Sequence, residues 1–275
     1  MVVKSISDIA DKTNYLVDIP LLINANITEY DISKANISIL YSYGIITKEE
    51  YELYYAMDKL TREISIGRRM LNDNGEMTNE GKIINATIKK GIILAKHLLL
   101  ESNNVPMEAV IRVANDAIFI NGPILPITSF DLNNNGILVN FKHKNIYNIM
   151  LNLHQVTIFI YDNPMVDKLE VEIKGINDNL LYKHEAFIEF ICNTVSDLQR
   201  NSKESALYTF NDFYTKYINL QLPVSYYREF NSNSGYPIKG TSYYVDNVGD
   251  IPLERISIEY NLSVLRQIYS IIMDF

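Results

Sequence analysis

Cysteine occurs once in the chain, as Cys192, so no intramolecular disulfide can staple it. Its place in the apolar run from Phe187 to Cys192 points to a small buried thiol and a reducing compartment. No segment approaches the ~20 consecutive apolar residues that a membrane-spanning helix needs. The opening Met-Val-Val-Lys-Ser-Ile-Ser-Asp lacks the apolar core, roughly 7–15 residues long, of a secretion signal. We expect a cytoplasmic protein with no membrane association. Positive charge is also scarce: 25 Lys and Arg face 33 Asp and Glu, a net charge of −8. That is the wrong sign for a domain that coats nucleic acid, because phosphate neutralisation by Lys and Arg drives such binding. A local basic site must carry any such contact. Basic residues outnumber acidic ones between Lys59 and Lys96, an excess that a solvated helix face explains equally well. The four histidines, His97, His143, His154 and His184, show neither HExxH nor H-x3-H spacing, which argues against zinc. Signatures of a phosphate-binding Gly-Lys-Ser/Thr loop, a G-x-S-x-G elbow and a G-x-G-x-x-G turn are missing as well.

What is present is a folding sequence. At 275 residues, 47% hydrophobic and 21% charged, it can bury one large core or two ordinary ones. The bias toward Asn, Ile and Tyr, with no Trp, fits an AT-rich coding sequence such as that of some phages or low-GC bacteria. Alternation of Ile23, Ala25 and Ile27 against Asn24, Asn26 and Thr28 predicts a strand over Leu21 to Ile32. Thr47 with Glu50 forms a capping-box signature that opens a helix running to about Leu60. The longest predicted helix, Glu80 to Glu101, carries Ile83, Ile84, Ile88, Ile92, Ala95 and Leu99 as an apolar stripe. Lys82, Lys89, Lys90 and Lys96 are expected in water. Two β-prone runs, Val110 to Val113 and Ala117 to Ile120, flank Asn115-Asp116 and predict a tight hairpin with an aspartate at its tip. A second hairpin is expected around Asn133 to Gly136, then strands near Val156 to Tyr161 and Leu169 to Ile173. Helices follow over Leu180 to Gln199, Glu204 to Leu220 and Leu262 to Met273. The expected fold class is therefore α+β, with a mostly antiparallel sheet and packed helices over residues 1–178 and a mainly helical part over 179–275. The break falls near Asn177 to Asn179.

Three segments within residues 26–122, in order, resemble the palm motifs of family B DNA polymerases. Tyr30-Asp31-Ile32-Ser33-Lys34-Ala35-Asn36 is similar to the strand-to-helix element whose aspartate binds the catalytic metals. Lys59-Leu60-Thr61-Arg62-Glu63-Ile64-Ser65-Ile66-Gly67 is similar to the family's Lys-x6-Tyr-Gly. Ala114-Asn115-Asp116-Ala117 resembles the Asp-Thr-Asp-Ser hairpin. The resemblance implies a palm-like sheet in which Asp31 and Asp116 act as catalytic metal ligands for Mg²⁺. It also implies that Lys59, Asn36 and Gly67 lie along the bound nucleoside triphosphate, with nucleic acid as the second partner. Two Mg²⁺ ions in such enzymes activate the 3′ hydroxyl and stabilise the leaving pyrophosphate, and carboxylates must bridge them. The chain departs from the pattern where Ala114 replaces the first hairpin aspartate, Ile66 the tyrosine before the glycine, and Asn36 the tyrosine under the sugar. The interval from Asp31 to Lys59 is too short for replicative fingers, and the residues before Asp31 are too few for an exonuclease domain.

Two function classes follow. One is a palm-like protein, either a minimal metal-dependent, DNA-directed nucleotidyltransferase or a palm reused for binding. The other is a non-enzymatic phage interaction or structural protein, favoured by the acidic charge and by the Tyr-rich segment 223–250. There Tyr226, Tyr227, Phe230, Tyr236, Tyr243 and Tyr244 offer a surface for a protein partner or for base stacking.

Overall fold

The computed structural model describes residues 5–153, 156–163, 168–175, 185–222, 228–229, 256–257 and 259–275. Its first elements are the short helix Ile6–Ala10 (α1) and the strand Asn14–Leu16 (β1). Asn24 then takes a left-handed backbone, φ 56°, and divides the expected strand over Leu21 to Ile32. Leu21–Leu22 (β2) and Ile27–Ile32 (β3) result, and they belong to different sheets. Asparagine tolerates this conformation better than other non-glycine residues, so an unbroken alternation in the sequence still yields two strands.

Four helices follow: Ala35–Ser42 (α2), Lys48–Ala56 (α3), Lys59–Met70 (α4) and Asn79–Ser102 (α5). The capping box at α3 is present as predicted, with Thr47 Oγ1 accepting from the Glu50 N–H and the Glu50 carboxylate accepting from the Thr47 N–H. Asp58 caps α4 by accepting from the Thr61 N–H at 3.0 Å. Helix α5 runs from its Thr78 cap to Asn103, and Asn104 beyond it is left-handed at φ 50°. The inner face of α5 is Ile84, Ile88, Gly91, Ala95, Leu99 and Leu100, while Ile83 points outward at 57% exposure. Lys82, Lys89 and Lys90 are exposed as expected. Lys96 is not: it is wholly buried, and its Nζ donates to the Lys12 carbonyl.

The strands Val110–Ala114 (β4) and Ala117–Asn121 (β5) form the predicted hairpin. Ser129–Asp131 (β6) and Leu138–Tyr147 (β7) form the second. Its loop is wound around Asp131, whose carboxylate accepts from the N–H groups of Asn133, Asn135 and Gly136. Those bonds hold its carboxyl below the usual carboxylate range.

Contacts divide the chain into two compact units, one up to Asp18 plus Asn26–Ile146, the other Ile19–Ala25 plus the residues from Tyr147 onward. The expected break near Asn177 to Asn179 lies outside the described residues. In the first unit the sheet runs β1-β4-β5-β3-β7-β6. One of its faces, carrying Tyr30, Ile32, Val113, Ile118, Val139 and Phe141, packs with residues of α1, α2 and α5. In the second unit Ile149–Leu153 (β8), Val156–Asn163 (β9) and Lys168–Gly175 (β10) join β2 in the order β10-β9-β8-β2. Its core adds apolar residues from the helices Glu185–Gln199 (α6), Lys203–Ile218 (α7) and Glu259–Asp274 (α8). The short pair Arg228–Glu229 (β11) and Ile256–Ser257 (β12) completes the described elements. The fold class is α+β with antiparallel sheets and a largely helical C-terminal part. Among the described residues no helix is long and apolar enough to cross a membrane.

Candidate active site

Period-two alternation along β3 places Asp31 and Glu29 on the face opposite Tyr30 and Ile32. Asp31 pairs in register with Ala117, the residue that follows Asp116. The Ile32 N–H donates to the Asp116 carbonyl at 3.3 Å, tying the hairpin tip to the strand end that carries Asp31. Asn115 accommodates the tight reversal by adopting φ 50°, and its N–H donates to the Thr13 carbonyl at 2.7 Å. The two aspartates are therefore near each other, Asp31 on β3 and Asp116 in the turn that leads into the adjoining β5. Burial pushes the Asp116 carboxyl up, and the negative charge of Asp31 pushes it further; a backbone hydrogen bond and the charges of Lys59 and Lys144 pull in the opposite direction without cancelling the rise. A half-buried acid next to a second acid is an arrangement that favours cations.

The neighbouring strand β7 supplies a cation directly. Lys144 Nζ lies 3.0 Å from Asp31 Oδ2 and 3.2 Å from Glu29 Oε1. Burial acts to lower the Lys144 ammonium, but its hydrogen bonds and charge contacts with Asp31 and Glu29 outweigh that and leave it raised. Glu29 is almost fully buried and also faces the charge of Arg112 on β4. Glu29 and Lys144 are functional candidates that the sequence did not reveal. Alternation alone could have put Glu29 beside Asp31, but nothing local announces a lysine 115 residues further on.

The remaining predicted residues separate into two sets. Lys59, at the exposed start of α4, lies within electrostatic reach of Asp116. Asn36 is turned away into the helices, its Nδ2 donating to Glu63 Oε2 on α4 at 2.6 Å. Gly67 is two turns further along α4, where a Cβ would meet only open space. Lys34, left-handed at φ 48°, bends the chain from β3 into α2. Its Nζ donates to the Tyr55 carbonyl and sits 3.2 Å from the Tyr55 ring centroid, an arrangement that fastens the corner to α3.

Mg²⁺ takes one or two carboxylates and completes its shell with water and substrate phosphates. Asp31 and Asp116 fit that donor set. Among the described residues no group of three or more His, Cys, Asp or Glu side chains is placed to hold a metal unaided. Any shell built here would take further oxygens from outside the chain. The segment 223–250, expected to meet a protein partner, lies almost wholly outside the described residues. No curated protein and no solved structure matches the chain. A family model described as Bacteriophage PBS1 gene 130 protein matches residues 5–274, nearly its whole length, and the chain belongs to that phage family.

Proposed function

We propose that the first unit is a palm-like site, related to that of family B DNA polymerases, which binds a divalent metal together with the phosphates of a nucleoside triphosphate. The observation that carries this is the closeness of Asp31 on β3, in register with Ala117, to Asp116 at the β4–β5 tip, where burial and like charge raise Asp116. In this reading Asp31 and Asp116 are the metal ligands and Lys59 approaches the phosphates as a point charge. Asn36 and Gly67 would border the nucleotide only after Asn36 leaves Glu63. Mg²⁺ would supply Lewis-acid stabilisation of the phosphoryl oxygens; the chain supplies the carboxylates, the cation at Lys59 and a sheet that keeps them in register.

The test is metal binding followed by primer extension. Mn²⁺ should bind weakly alone and at least tenfold more tightly with a triphosphate. Asp31→Asn and Asp116→Asn should each abolish that gain and any incorporation. Asp116→Asn should also be no less stable than the parent, because it removes a carboxyl held in an unfavourable setting. Triphosphate that leaves Mn²⁺ affinity unchanged would sink the reading.

A second reading is an interaction protein that uses the helical layer. Leu60, Ile64 and Leu71, spaced along one face of α4 and its end, are 70%, 45% and 44% exposed, and Leu53 on α3 is 60% exposed. If that reading holds, Leu60→Glu with Ile64→Glu should abolish binding of a partner while leaving Mn²⁺ binding untouched.

A further inference from the structure

Lys144 touches both acids on the second face of β3, and the three groups differ in their freedom to move. The Glu29 side chain is 3% exposed and Asp31 28%, whereas Lys144 is 46% exposed on a flexible four-carbon stem. The carboxylates are fixed by the sheet; the ammonium can leave. Its charge also acts on Asp116, so one mobile cation serves both proposed metal ligands and the buried Glu29 behind them. The other cations facing the group are differently placed. Arg112 is buried at the Glu29 end, Lys59 reaches Asp116 from the start of α4, and the wholly buried Lys96, held to the Lys12 carbonyl, also feels the charge of Asp116.

From this arrangement, and resting on the metal-site reading above, we infer that Lys144 is a built-in counterion that occupies Asp31 in the free protein and yields it when a triphosphate arrives. Asp31 Oδ2 cannot serve an ammonium and a divalent ion side by side without close repulsion between the two cations. Metal alone therefore competes with Lys144 and binds poorly. A triphosphate changes the balance because its oxygens offer the ammonium another anionic partner while they complete the metal shell. Lys144 thereby couples metal loading to the presence of the nucleotide, and the site avoids holding a bare metal ion. Glu29, too buried to follow, keeps the unloaded ammonium aligned.

The experiment is a Mn²⁺ titration of the full chain followed by electron paramagnetic resonance of the free ion, with and without a non-hydrolysable nucleoside triphosphate. Lys144→Met should bind Mn²⁺ about tenfold more tightly than the parent when nucleotide is absent. Its further gain on adding the triphosphate should be smaller than the parent's. Lys144→Gln, which keeps a polar head, should behave likewise and guards against a folding defect in the first variant; circular dichroism checks both. If the parent binds Mn²⁺ and loses it in Asp31→Asn, yet neither Lys144 variant binds more tightly, the counterion role is wrong while the metal site stands. If neither the parent nor either Lys144 variant binds Mn²⁺ under any condition, the metal site itself is wrong and the counterion role goes with it.

Discussion

A lysine at the edge of an apolar stripe carries no local sign of whether its head reaches water, and Lys96 shows the consequence. It shares α5 with Lys82, Lys89 and Lys90, yet it alone of the four is enclosed, with the Lys12 carbonyl as acceptor. Burial pushes its ammonium down to about 8, partly offset by the charges of Asp11 and Asp116. The sign of the resulting pH dependence follows. Below about pH 8 both folded and unfolded chains hold the proton, and the folded state bears the full cost of a buried charge. Between about 8 and 10.5 the folded chain sheds the proton while the unfolded chain keeps it, so stability rises with pH. At 1.36 kcal/mol per pKa unit the gain is at most about 3 kcal/mol. Lys96→Met lacks that titration. Urea midpoints of parent and variant should therefore draw together, or cross in the parent's favour, between pH 7 and pH 10. Parallel curves over that range would show that Lys96 titrates as a solvated lysine.

At the scale of elements, what was legible had a local cause. The Thr47–Glu50 capping box, the α5 stripe and the Asn115-Asp116 reversal each rest on residues within one or two turns of each other, and each is present. The nearness of Asp31 to Asp116 had no such local cause: it was expected only from the resemblance to the palm motifs, and it rests on β3 pairing with β5. What was not legible depends on pairing at long range. Asn24 splits a continuous alternation because β2 and β3 are claimed by different sheets, and the Lys144 contact depends on β7 lying beside β3. Packing between helices is hidden in the same way, and two glycines separate it from intrinsic helix propensity. A Cβ on Gly91 of α5 would lie 2.3 Å from Cγ2 of Ile39, a buried, β-branched side chain on α2 with little room to yield. A Cβ on Gly67 of α4 meets nothing within 4 Å. Propensity alone predicts that alanine stabilises both helices by about 1 kcal/mol. With overpacking of about 1–3 kcal/mol at Gly91, Gly91→Ala should instead be destabilising or at best neutral, while Gly67→Ala gains up to about 1 kcal/mol. Equal gains at both positions in urea denaturation would mean that α2 and α5 do not approach so closely. Gly67→Ala has a second use, since a nucleotide that packs against that open face would bind the alanine variant less well.

At the scale of the whole molecule, the order of residues in the chain and the membership of the two cores do not coincide. Residues 19–25 lie between β1 and β3, both part of the first unit's sheet, yet they belong to the second unit. There β2 pairs with β8 through Leu21↔Leu151 and Leu22↔Met150, and Leu21 and Ile23 pack against the second core. The Asn152 N–H donates to the Pro20 carbonyl and the Ala25 N–H to the Asn148 carbonyl, so the segment is bonded at both ends. A fragment beginning at Tyr147 would keep β8, β9, β10 and the C-terminal helices but would lose this strand. The edge of β8 would then present unpaired backbone groups, a template for association with other copies, and the apolar surface under Leu21 and Ile23 would be uncovered. Fragment 147–275 should therefore express poorly or self-associate. The same fragment with residues 19–25 attached through a flexible Gly-Ser linker should be monomeric at higher concentration and unfold at higher urea. Light scattering and urea titration of the two fragments, compared with the full chain, measure the difference. Two fragments with the same midpoint and the same association state would show that the β2 pairing contributes nothing measurable to the second core. Restoration by the linked strand would establish that the second core is completed by a segment from the first thirty residues, and that a cut at any single point in the chain leaves one of the two cores incomplete.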